Sequence, residues 1–313
     1  MTMPLLRLGF RPFFLSAGLF AVIAMTLWAF LWRDGRLGAW APTAVDPVAW
    51  HAHEMVFGYT LAVVAGFLLT AVRNWTGRPT PTGGALAALV LAWALARVLL
   101  LAGPAALPYA ALADLAFNVG LLVGVARPIV AVGQTRQAGI LAKIAMLGLA
   151  NALFYLAAAG VLTLPPLLVA QAAVFLLVAL ILTIAGRVLP GFIERGVRVP
   201  VKVQDPVWAR RACLVLFFAF FVVELFFELP WLDALLAGAL AVVTAWRLAA
   251  WHTPALWREP LLWGLFVALI AIWGGFVLYA FADWLALPRT LALHALAAGG
   301  IGLAPLALMA RVS

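Results

Sequence analysis

The feature that most constrains this chain is a series of ten apolar stretches, each long enough to cross a membrane as a helix. A membrane-spanning helix needs about 20 consecutive, mainly apolar residues. The ten windows are Phe13–Trp32, Trp50–Val72, Gly83–Gly103, Pro108–Ala126, Ile140–Leu162, Leu167–Ala185, Ala212–Leu229, Trp231–Trp251, Leu261–Ala282 and Thr290–Ala310. Only 10% of the residues are charged, against about 25% in soluble domains. We therefore predict an all-α, polytopic transmembrane helix bundle with about ten spanning helices, in a single transmembrane domain covering residues 1–313.

Glycine and proline mark the predicted breaks between these helices. Pro190-Gly191 is predicted to end the sixth helix, and Gly186–Arg211 is the longest predicted loop, with room for a short surface helix. The first helix is expected to be a retained signal anchor, because no small-residue cleavage site follows its apolar run.

The basic residues predict the orientation of the bundle. With the N-terminus inside, sixteen of the 20 Lys and Arg residues fall in inside segments. Arg33, Arg36 and Arg289 fall outside, and Arg97 lies within the third window. Cytoplasmic loops of membrane proteins carry an excess of Lys and Arg, so we predict a cytoplasmic N-terminus. The same loops account for the net charge of +9, so the lipid bilayer is the expected partner and nucleic acid is not.

Two of the four histidines lie together in the segment Trp50–Met55, at the start of the second window. If this segment is helical, His51 shares a face with Glu54, which would then orient a ligand imidazole. If it is extended, His51 and His53 point the same way and form a two-imidazole clamp suited to copper. The residues leave both arrangements open.

The predicted orientation places seven ionisable residues in one layer toward the outer face. They are His51, His53, Glu54, Arg97, Asp114, Glu224 and His294. Ionisable groups at membrane depth are costly unless they are paired or face a cavity, and they mark functional sites by default. Arg97 and Asp114 lie at equal depth, about 9 Å into the outer half, so an ion pair between them is expected. We predict one polar or cofactor-filled site, against the alternative that each polar group separately joins two helices.

Histidines from two helices make haem the first chemical hypothesis. Haem iron accepts axial histidines, and His51 or His53 opposite His294 would supply such a pair. The predicted cofactor is haem, with copper as a further candidate. His252 lies beside Trp251 at the inner side and is interpreted as an interfacial residue. The chain carries no Walker motif, dinucleotide fingerprint or cysteine cluster, and its one cysteine excludes an internal disulfide.

Several blocks of the sequence resemble the NnrS family of polytopic membrane proteins. The blocks are Gly9–Phe14, Trp50–Met55, Ala65–Val72, Asn74–Pro79, Gly186–Pro190 and His294–Leu296. These proteins are linked to nitric oxide metabolism and resistance in denitrifying and related bacteria, and they are described as containing haem and copper. The resemblance covers nearly the whole chain. It implies a multi-pass protein of the bacterial cytoplasmic (inner) membrane, with nitric oxide or a metal-nitrosyl species as the expected partner.

Two departures from the family pattern bear on the cofactors. Family members usually continue beyond the equivalent of Met309–Ser313, through a turn with Gly and His, into further helices, so this sequence is expected to be short at its C-terminus. Many members also have a histidine shortly after the equivalent of Pro260–Trp263, where this chain has Phe266. The resemblance therefore also admits a family member with fewer cofactors, or a degenerate one with none.

Two other functional classes compete with this hypothesis. A transporter would use the polar outer layer as its substrate site, with helix breaks at Gly66, Gly124 or Gly274-Gly275, although the two halves of the sequence show no convincing repeat. A redox enzyme that passes electrons to nitric oxide ranks last. Its catalytic centre would need a second metal close by, and four histidines supply few ligands. The sequence alone establishes neither an enzymatic activity nor an oligomeric state.

Overall fold

The computed structural model describes residues 3–33 and 45–312, and within these ranges the chain is formed of helices and their connecting turns. The α-helices are α1 (Phe10–Arg33), α2 (Pro47–His53), α3 (Leu61–Thr76), α4 (Gly83–Leu100), α5 (Leu107–Ala131), α6 (Ala138–Ala158), α7 (Pro166–Gly196), α8 (Val207–Phe226), α9 (Pro230–Trp251), α10 (Pro260–Phe281), α11 (Arg289–His294) and α12 (Leu303–Val312). Two π-helices complete the set: the first, Glu54–Thr60, continues α2 into α3, and the second, Ala295–Gly302, continues α11 into α12.

The spanning helices agree with the ten apolar windows. Within the described ranges, nine helical segments are long and apolar enough to cross a membrane. The remaining window, the seventh, corresponds to α8, whose charged residues Arg210, Arg211 and Glu224 lie near its two ends. The all-α, multi-pass prediction is therefore confirmed. The cytoplasmic position of the N-terminus stays a prediction, and the predicted outside position of Arg36 lies outside the described residues.

The predicted break at Pro190-Gly191 is wrong. Helix α7 continues through Pro190 and ends at Gly196, so the non-helical connection to α8 covers only residues 197–206. Proline removes one backbone donor, but membrane helices tolerate such a loss when neighbouring groups satisfy the freed carbonyl. The glycine and proline of this segment therefore do not end the helix.

The chain divides into two compact units, residues 1–173 and 174–312, and each is described by itself. In the first unit the segment Pro47–Thr76 is largely buried and forms the centre. Helices α1 and α5 pack against α3, and α4 and α6 pack against α5. A helix that is apolar all round is buried, which explains why this segment lies at the centre of its unit. The prediction of one transmembrane domain stays a prediction.

The second unit is built around α10. Helices α9, α11 and α12 and the second π-helix all pack against α10, and α8 packs against α9. The core is aromatic, with rings whose centroids lie 5.0 to 6.4 Å apart. These rings belong to Phe175, Phe217, Phe220, Phe276 and Tyr279. Edge-to-face contacts of this kind stabilise a core beyond simple burial.

Candidate functional site

The histidine-bearing segment Trp50–Met55 is helical, not extended. The Asp46 side chain accepts hydrogen bonds from the backbone N–H groups of Val48 and Ala49, at 2.9 and 3.2 Å, and so caps the start of α2. Residues two apart on a helix do not share a face. The alternative of an extended two-imidazole clamp formed by His51 and His53 is therefore wrong.

His53 is fully buried and both of its ring nitrogens are engaged. Nδ1 lies 3.0 Å from Glu54 Oε1, and Nε2 lies 2.9 Å from Asn151 Oδ1. Glu54 thus contacts His53 and also Arg97, while its predicted role in orienting His51 stays a prediction. His51 stacks on Trp28 of α1, with ring centroids 4.2 Å apart.

The expected ion pair between Arg97 and Asp114 is present. Arg97 Nη2 lies 2.5 Å from Asp114 Oδ2, and Nη1 lies 3.1 Å from Glu54 Oε1. The Tyr155 hydroxyl donates a hydrogen bond of 3.0 Å to the same Asp114 oxygen. We call these residues, together with His53 and Asn151, the first-unit polar cluster; all six are buried. Buried ion pairs need such additional hydrogen bonds to offset the loss of water.

The backbone of the first π-helix approaches this cluster closely at Gly58. A Cβ atom added there would lie 3.0 Å from both Arg97 Nη1 and Glu54 Oε2. The carbonyl of Gly58 accepts a hydrogen bond of 2.9 Å from Trp93 Nε1 of α4. Glycine therefore leaves room for the charged groups, and π-helical segments are frequent at functional sites.

Several atoms of the first-unit polar cluster have no hydrogen-bond partner among the described residues. They are Glu54 Oε2, Asp114 Oδ1, Arg97 Nε and Asn151 Nδ2. Two of these atoms are acceptors and two are donors. Buried polar atoms of this kind are usually hydrogen-bonded to protein groups or to ordered water. Sequence reasoning missed Asn151 and Tyr155, although two polar residues spaced by four inside an apolar helix were a visible signal.

The second unit holds its own ionic group around Arg289. The Arg289 guanidinium contacts Glu224 of α8, lies 3.0 Å from Asp233 of α9 and lies 3.2 Å from Asp283, which follows α10. We call these four residues the Arg289 clamp. Glu224 was predicted in the polar layer, whereas Arg289 was assigned to a loop and both aspartates were missed. Asp233 in the first turn of α9 was the signal that could have revealed them.

His294 ends α11, and its side chain is exposed. Its Nδ1 lies 2.7 Å from the carbonyl oxygen of Thr290. A carbonyl can only accept, so Nδ1–H donates, and in the neutral ring Nε2 keeps its lone pair. Metal-bound histidines are usually held in this way, with the other ring nitrogen donating to a carbonyl or carboxylate.

His53 and His294 occupy equivalent places in an arrangement that occurs in both units. Each ends a short α-helix, and each is followed directly by a π-helix; α2 begins at Pro47, and α11 begins directly after Pro288. The amino-acid sequences of the two halves show no convincing repeat, so this similarity is visible only in the structure. The two histidines differ in their surroundings, since His53 is enclosed by protein partners and His294 is exposed.

The protein family of this chain follows from a match over nearly its whole length. The family model described as NnrS protein matches residues 4–313, which is nearly the whole chain. The chain belongs to the NnrS family. No curated protein and no solved structure matches it.

The histidines of this NnrS-family protein differ in how well they fit the haem and copper associated with the family. His53 does not fit as a ligand in its present position, because Glu54 and Asn151 occupy both ring nitrogens. His294 fits, because its Nε2 is the typical ligand atom of an imidazole held through Nδ1. His252 follows α9, and its Nε2 accepts a hydrogen bond of 3.0 Å from Trp257 Nε1.

The described part of this NnrS-family protein contains no group of three or more His, Cys, Asp or Glu side chains placed to hold a metal ion. Of the seven residues of the predicted polar layer, four lie in the first-unit polar cluster and Glu224 lies in the Arg289 clamp, whereas His51 and His294 belong to neither set. The predicted meeting of His294 with His51 or His53 at a single site stays a prediction.

Proposed function

We propose that this NnrS-family protein binds haem, with copper as a further candidate, and acts in protection against nitric oxide or in denitrification-related metabolism. One observation carries the proposal: His294 is an exposed imidazole at the end of a membrane helix, held through Nδ1 so that Nε2 is the ligand atom. Ionisable residues within spanning segments mark functional sites by default. Family membership points to the same chemistry.

The histidines and the residues beside them have different roles in this proposal. His294 would ligate the metal through Nε2, while the Thr290 carbonyl fixes the tautomer and the orientation of the ring. His51, stacked on Trp28, is the second candidate ligand. His53 and Glu54 hold the first-unit polar cluster together and do not touch the metal. Haem, when bound, would supply an iron centre able to bind nitric oxide.

The test is an optical spectrum with metal analysis of the protein, purified in detergent from haem-replete cells. We expect a Soret band that is lost in His294→Ala and weakened in His51→Ala. His53→Gln should keep most of the Soret absorbance but unfold at a lower temperature, because its role is structural. His252→Ala, another exposed histidine, is the matched control and should match the wild type.

Two results would refute the proposal. A colourless, metal-free wild-type preparation would favour a family member without cofactor. A full Soret band in His294→Ala would remove this residue from the ligand set.

The second candidate function is transport, and the unpartnered atoms of the first-unit polar cluster favour it. The helix breaks expected at Gly66, Gly124 and Gly274-Gly275 are absent, since each glycine lies within an unbroken α-helix. The interruptions of α-helical structure are instead the two π-helices.

Proton flux into proteoliposomes, followed with an internal pH-sensitive dye, separates this candidate from the first. A transporter should lose flux in Asp114→Asn and keep it in His294→Ala. Equal flux in protein-free liposomes and in proteoliposomes would exclude proton transport.

A further inference from the structure

We propose that Arg289 is a positioning residue for His294: the Arg289 clamp fixes the direction of α11 and thereby aims the imidazole. The inference rests on the proposed function, because positioning matters only if His294 is a ligand. It concerns a residue that sequence reasoning assigned to an outer loop. Three observations support it.

Helix α11 has little apolar burial to hold it in place. Of its six residues only Ala292 is buried, and Leu291 is 46% exposed. The equivalent helix of the first unit, α2, buries four of its seven residues, including Trp50. Most helical stability in proteins comes from packing of an apolar face, so α11 is held largely by its ionic contacts and by the second π-helix that continues it.

The Arg289 clamp supplies these ionic contacts. Arg289 is the first residue of α11, and its three carboxylate partners come from α8, from α9 and from the turn after α10. The Glu224 and Asp233 side chains are only 4% and 3% exposed. Hydrogen bonds between ionised partners are shorter and stronger than neutral ones. Contacts to three surrounding elements leave one end of α11 with a fixed direction.

The path from the clamp to the imidazole is short. Thr290 directly follows Arg289, and its carbonyl oxygen accepts the His294 Nδ1 hydrogen bond at 2.7 Å. The backbone that Arg289 anchors therefore also sets the rotation of the His294 ring. On the other side of His294 the second π-helix packs against α10, with Leu296 and Ile301 buried.

The experiment measures the reactivity of individual histidines with diethyl pyrocarbonate, by mass spectrometry of peptides from the purified full-length protein at one fixed pH. His294 is the reporter. His252, which is exposed and lies outside the clamp, is the internal reference. His53 is fully buried, so its modification reports unfolding. The variants are Arg289→Gln, Arg289→Lys and Asp283→Asn, with Arg258→Gln as a control at an exposed arginine outside the clamp.

We expect the ratio of His294 to His252 modification to rise about three- to tenfold in Arg289→Gln, since losing a few ion pairs shifts an equilibrium by this order. Asp283→Asn removes one partly exposed partner and should give a smaller rise. Arg289→Lys should restore most of the wild-type ratio, because the charge is kept. Arg258→Gln should leave the ratio unchanged.

An unchanged ratio in Arg289→Gln, with His53 still unreactive, would overturn the inference. If Arg289→Gln unfolds and exposes His53, Asp283→Asn decides, and a wild-type ratio there would overturn it. The result of this experiment can be distinguished from the result of the haem-binding test. A protein without a Soret band but with a clamp-dependent ratio refutes haem binding alone, whereas a Soret band with an unchanged ratio refutes positioning alone.

Discussion

Replacing Asp114 with alanine is expected to destabilise the first unit by about 3–5 kcal/mol. The change leaves the Arg97 guanidinium buried with Glu54 as its remaining carboxylate partner, and it removes the acceptor of the Tyr155 hydroxyl. A buried charge that loses one of its partners cannot recover the lost interaction from water. Thermal unfolding in detergent, followed by circular dichroism, measures the effect. Glu228→Ala, at an exposed carboxylate, is the matched control and should change stability little.

A double replacement tests the same explanation more sharply. Arg97→Met combined with Asp114→Leu removes both charges and replaces them with apolar side chains. We expect this double variant to be more stable than Asp114→Ala, because replacing both members of a buried pair is often neutral or stabilising. Additive destabilisation of the two single variants in a double-mutant cycle would show that Arg97 and Asp114 do not act as a pair.

Replacing Gly66 with alanine is expected to destabilise the packing of α1 against α3 by about 1–3 kcal/mol. A Cβ atom at Gly66 would lie 2.8 Å from the Phe14 ring and 3.1 Å from Phe13 Cβ. Small residues let membrane helices approach closely, and no flexible side chain is available here to move aside. Thermal unfolding in the same detergent measures the loss.

Gly18→Ala is the control for this effect. Gly18 lies on α1, and a Cβ added there meets no atom within 4 Å. Alanine favours the helix by about 1 kcal/mol over glycine, so this variant should be as stable as the wild type or more stable. Equal destabilisation by both variants would mean that Gly66 is not needed for close approach.

The sequence by itself determined the class of fold and most of its helices. Hydropathy is a local property, so the ten apolar windows marked the spanning helices regardless of how they pack. Counting residues from the helix ends placed Arg97 and Asp114 at one depth, and the two side chains do form an ion pair. The blocks around His53 and Gly66 indicated the family that the comparison then confirmed.

The tertiary structure alone decided which partners the polar residues take. Glu54 contacts both His53 and, on α4, Arg97, and the spacing of these residues along the chain does not predict that pair of partners. Arg289 gathers carboxylates from three separate elements, which depends on how those helices rotate and pack. The depth of a residue in the membrane follows from the number of residues that separate it from the end of its helix. The direction in which a side chain points, and therefore whether a histidine is enclosed or available to a ligand, is fixed only when helices meet.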